Sequence, residues 1–99
     1  MEQAYNYTDL QVVLKIDPMY CTGTIYATFT PSTGGSVEVT TTNYNTTTGE
    51  VTVSLTQSQT SGLYGVIAAQ LNGFLNSKRW ASKKVYFQMG ENLIGRTLS

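Results

Sequence analysis

The stretch Lys78-Arg79-Trp80-Ala81-Ser82-Lys83-Lys84 places four cations around the only tryptophan of the chain. Cations engage phosphates, and an indole stacks on an unpaired base. If Tyr26, Tyr44 and Tyr86 share the outer face of a sheet, they extend that platform for single-stranded nucleic acid. The competing expectation is that Trp80 plugs the end of the core while the lysines stay in water. A short basic run in a chain of zero net charge is compatible with either. A second pattern is Gly65, Ala69 and Gly73, each four apart. On a helix these form a small-residue side open to close approach, either by the chain's own sheet or by a second copy in a symmetric dimer.

Catalytic chemistry finds little to work with. The chain has no histidine, which removes the commonest general base, the usual nucleophile–base pairs and most zinc sites. Cys21 is the single cysteine; it can form no intrachain disulfide and reads as a small apolar filler. Asp9, Asp17, Glu38, Glu50 and Glu91 are scattered, so a glycosidase-like carboxylate pair would need the fold to assemble it. Gly34-Gly35 lacks the lysine and helix of a phosphate loop, and Gly62-Leu63-Tyr64-Gly65 lacks the full dinucleotide fingerprint. Asn6-Tyr7-Thr8 and Asn45-Thr46-Thr47 match the glycosylation acceptor pattern, with no secretory context to support it. No enzyme, metal or cofactor is expected.

The elements that must carry these residues are read from periodicity. Leu63, Ile67, Leu71, Phe74 and Leu75 recur at spacings of three and four, which predicts a helix over 60–81. Thr60 or Ser61 would cap its start, and Lys78 and Arg79 would suit the negative pole at its end. Elsewhere the period is two. Leu10, Val12, Leu14 and Ile16 predict a first strand, with Tyr5 and Tyr7 before it as its extension, and Asp17-Pro18 stops it. Ile25, Ala27 and Phe29 alternate with Tyr26, Thr28 and Thr30 in a second strand. After the turn Pro31-Ser32-Thr33-Gly34-Gly35, Val37, Val39 and Thr41 mark a third. Gly49, in the left-handed conformation, would close a hairpin into a fourth containing Val51, Val53 and Leu55. Together 23–56 read as a three-strand antiparallel meander. Val85, Phe87 and Met89 predict a strand over 84–89, and 93–98 a short returning one. The order ββββ-α-ββ implies a two-layer α+β domain, with the long helix packed on one face of an antiparallel sheet.

Ninety-nine residues suffice for one domain, 1–99. Charged residues make up only 12%, about half the usual share of roughly 25%. Charge is also uneven, −4 over residues 1–50 and +4 over 51–99, as a polar partner or a head-to-tail contact between copies would use. The longest near-apolar run, 63–75, contains Gln70 and Asn72 and falls short of the roughly 20 residues of a membrane span. With no apolar leader core at the amino terminus, the expected location is intracellular or virion-associated. A low-charge, hydroxyl-rich chain without catalytic groups has the character of small viral or mobile-element proteins. It is expected to be a non-enzymatic, self-associating interaction protein. The alternatives are the nucleic-acid binder above, and a binder of nucleotides or sugars using tyrosines and amides at the helix start.

Overall fold

The period of two governs the stretch expected to be a helix. A computed structural model, describing residues 4–32 and 34–98, places 51% of the chain in strands and 7% in helical turns, with no long helix. Residues Gly65–Leu75 form the longest strand, β6, with Ile67, Ala69, Leu71 and Gly73 buried on one face and Val66 and Phe74 exposed on the other. The predicted α+β architecture is thereby overturned in favour of a curled mixed sheet. The cause lies in the spacing itself. Leu63, Ile67 and Leu71 are four apart, and four is both a helical turn and an even number, so the same residues fit either element. The intervening residues decide. Two glycines inside a helix would cost about 1 kcal/mol each relative to alanine, and Gly65 sits at φ 83°, outside helical space.

The remaining strands are β1 (Ala4–Tyr5), β2 (Leu10–Lys15), β3 (Ile25–Pro31), β4 (Val37–Thr41), β5 (Glu50–Leu55), β7 (Lys78–Ala81) and β8 (Val85–Gly90). A 3-10 turn, Pro18–Tyr20, follows β2, where the Asp17 carboxylate accepts from Met19 N at 3.1 Å. The single helical turn α1, Gln57–Thr60, is closed by a capping box between Thr56 and Gln59. It ends where the long helix was expected to begin. Lys78 and Arg79, placed by the sequence at that helix's end, lie instead on β7.

The large sheet runs β1-β8-β6-β3-β4, and β7 lies beside β8 along the same edge of β6. All its pairings are antiparallel except β1 on β8. Asn76 and Ser77, at φ 52° and 65°, form the two-residue turn between β6 and β7; positive φ at both positions is what a type I′ hairpin requires. The expected three-strand meander is broken. β3 and β4 do pair, but β5 pairs along its length with β2 in a two-stranded ribbon. It meets the chain leaving β4 only over a short stretch, through the Tyr44–Val51 bridge, Thr52 N donating to Asn43 O at 2.8 Å, Asn45 N donating to Glu50 O at 2.8 Å and the Thr41 hydroxyl donating to Thr52 O at 2.8 Å. Gly49 takes the left-handed conformation at φ 83°, and a Cβ there would lie 1.9 Å from Ile16 O. Residues 93–98 form no strand.

One cluster of buried side chains unites the sheet and ribbon. Ile25, Ala27, Phe29, Ile67, Leu71 and Met89 meet Leu14, Val51, Val53 and Leu55, so the ribbon fills the place assigned to the helix. Phe74, expected in that core, points outward and is 54% exposed. Asn6, buried at 3% exposure, ties the two ends of the described chain together. Its Nδ2 donates to Ser61 O at 3.0 Å and its Oδ1 accepts from Asn92 N. Both bonds satisfy a polar group that burial would otherwise penalise.

Candidate functional site

The basic stretch straddles the sheet. Successive residues of β7 point to opposite sides, so Arg79 projects outward beside Phe74 while Trp80 turns inward over Gly73. The Arg79 guanidinium donates to Asn72 Oδ1 through Nε at 3.4 Å and Nη2 at 3.2 Å. Trp80 packs against the core cluster and lies 5.1 Å from Tyr20, ring centre to ring centre, at 45°. Its Nε1 is buried without a hydrogen-bond partner among the described residues. Lys78, Lys83 and Lys84 are exposed.

The tyrosines divide in the same way. Tyr26 and Tyr86 stand on the outer face, on β3 and β8. Tyr44 is half-buried, and its hydroxyl donates to Gly23 O at 2.9 Å. Gly65, Ala69 and Gly73 form no helical stripe, because the helix is absent. Ala69 is fully buried, and Gly73 is roofed by Trp80, whose Cζ2 would lie 2.6 Å from an added Cβ.

Two clefts result. On the inner side a space of about 390 Å³ opens between ribbon and sheet, lined by Leu14, Ile16, Tyr20, Leu71, Trp80 and Lys83 among others. On the outer face Tyr26, Thr28, Glu38, Asn72, Phe74 and Arg79 surround a cleft of about 240 Å³. Sequence reasoning missed Thr28, Glu38, Asn72 and Phe74 as site residues. Thr28 and Tyr26 were correctly placed on one face, but Asn72 and Phe74 join them only when β6 is a strand.

No family, curated protein or solved structure matches the chain. Among the described residues, no group of three or more acidic, cysteine or histidine side chains converges as a metal site. Burial pushes the Cys21 thiol up from its ordinary value, with the Asp17 carboxylate adding to the shift. Both effects disfavour the thiolate, which is the nucleophilic form. No described helix is long and apolar enough to cross a membrane.

The ribbon offers a different kind of site. β2 is paired with β5 along one side, and no strand is paired along its other side among the described residues. Val13 on it is 54% exposed, and Lys15 is the one charged residue of the six.

Proposed function

We propose that the chain is a non-enzymatic interaction protein that associates with further copies of itself, through the open edge of β2. The single observation that carries this is the pairing of Leu10–Lys15 on one side only. An unpaired edge presents a row of free amides and carbonyls that template another strand. Proteins that stay monomeric blunt such edges with charge, proline or a bulge. β2, Leu-Gln-Val-Val-Leu-Lys, carries no proline and a single charge, Lys15, at its last position, so residues 10–14 are left without one. Two copies meeting edge to edge around a twofold axis would continue the ribbon and bring the exposed Val13 side chains near each other. The sequence supports a non-catalytic role through its lack of histidine.

A nucleic-acid role retains the exposed cations but draws less support, because Trp80 and Tyr44 face inward while Tyr26 and Tyr86 face outward. Sedimentation equilibrium tests the proposal. The chain is expected to populate a dimer or larger species, and Val13→Lys, on an exposed side chain, is expected to weaken association by about tenfold, or roughly 1.4 kcal/mol. A monomer at every concentration, or association indifferent to Val13→Lys, overturns it.

A further inference from the structure

The outer cleft has a composition that neither charged nor purely apolar ligands match. Its base is set by strand register: Tyr26 stands opposite Asn72, Thr28 opposite Glu38, and Phe74 opposite Arg79. Four neighbouring strands thus contribute two aromatic rings, a hydroxyl, an amide, a carboxylate and a guanidinium to one space. The rings are open to solvent, Tyr26 at 36% and Phe74 at 54% exposure. The guanidinium donates to Asn72 Oδ1 through Nε at 3.4 Å and Nη2 at 3.2 Å, which leaves Nη1 free of that contact. That contact turns the guanidinium toward the cleft it lines.

The charges decide the class of ligand. An anion would be drawn to Arg79 but repelled by Glu38, and a simple cation the reverse. A neutral polyhydroxylated ring suits both, because its hydroxyls can donate to a carboxylate and accept from a guanidinium. Its C–H face can also lie on an aromatic ring and remove apolar area from water. At about 240 Å³ the cleft is below the range of roughly 300–1,000 Å³ typical of drug-sized ligands, which fits a single sugar ring.

We infer that this cleft on the outer sheet face is a binding site for a neutral saccharide unit. The inference is independent of self-association, since β2 contributes none of these residues.

Amide chemical shifts of the full chain, titrated with cellotetraose, maltotetraose, chitotetraose and mannotetraose, test it, with adenosine monophosphate and glycine as anionic and zwitterionic arms. At least one saccharide is expected to give saturable shifts centred on Tyr26, Asn72, Phe74 and Arg79. Tyr26→Ala and Glu38→Gln should each lower that affinity by about tenfold, while the spectrum away from the cleft keeps its dispersion. Three results each overturn the assignment: no saturable shifts with any of the four saccharides, tighter binding of adenosine monophosphate or glycine at the same amides, or saccharide binding unchanged in both variants.

Discussion

Gly73 shows how one absent side chain shapes the molecule. The Trp80 ring occupies the space a Cβ would need, with Cζ2, Cε2 and Nε1 all within 3.0 Å of that position. Gly73→Ala must therefore displace a ring packed against the core. The expected cost is about 1–3 kcal/mol, the range for overpacking, with a shift in tryptophan emission, and unchanged emission and denaturation midpoint would contradict the contact. Cys21 gives a pH-dependent counterpart. Its folded-state pKa is raised, chiefly by burial and then by Asp17, so the folded chain holds a proton that the unfolded chain releases. The stabilisation is fully present below the thiol's unfolded value and is lost as pH rises through the folded one. Denaturation at pH 7 and pH 10 should show a loss at the higher pH that is smaller in Cys21→Ala. An equal loss in both proteins would assign the effect to other groups.

Strand β6 shows what the sequence could and could not disclose about its elements. The strands around Leu10–Lys15, Ile25–Pro31, Val37–Thr41, Glu50–Leu55 and Val85–Gly90 were legible because apolar residues alternate with threonine, serine and tyrosine along them. Those β-branched and aromatic types suit a pleated, half-buried surface. β6 was not legible, because Leu63, Ile67 and Leu71 satisfy both periods and Ala69 adds no contrast. The local signals against a helix were Asn72-Gly73 and the turn pair Asn76-Ser77, and the even spacing of the leucines outweighed them. That turn can be tested directly. Ser77 holds φ 65°, which a β-branched residue resists, so Ser77→Val is expected to destabilise the chain by about 1–2 kcal/mol while Ser77→Gly is tolerated. Equal stability of the two variants would contradict the hairpin geometry.

Taken together, the chain is a curled sheet whose hollow is filled by its own two-stranded ribbon, so one core serves both. The long pairing of β5 with β2 could not be read from sequence, because hairpin chemistry at Asn45 and Gly49 fixes the turn and the short pairing beside it, at Tyr44 and Val51, and leaves the distant partner free. The outer cleft was hidden for the same reason: Glu38, Thr28, Asn72 and Arg79 meet only once strand order and register are set. The amide-exchange rate of every backbone group across a concentration series tests the central claim most directly. β6 has neighbours on both sides and should hold the slowest amides at every concentration, from Ile67 to Gly73. The amides of β2 that point away from β5 should gain protection as concentration rises and a second copy covers them. Rapid exchange in β6, or β2 protection that does not change with concentration, would contradict the account.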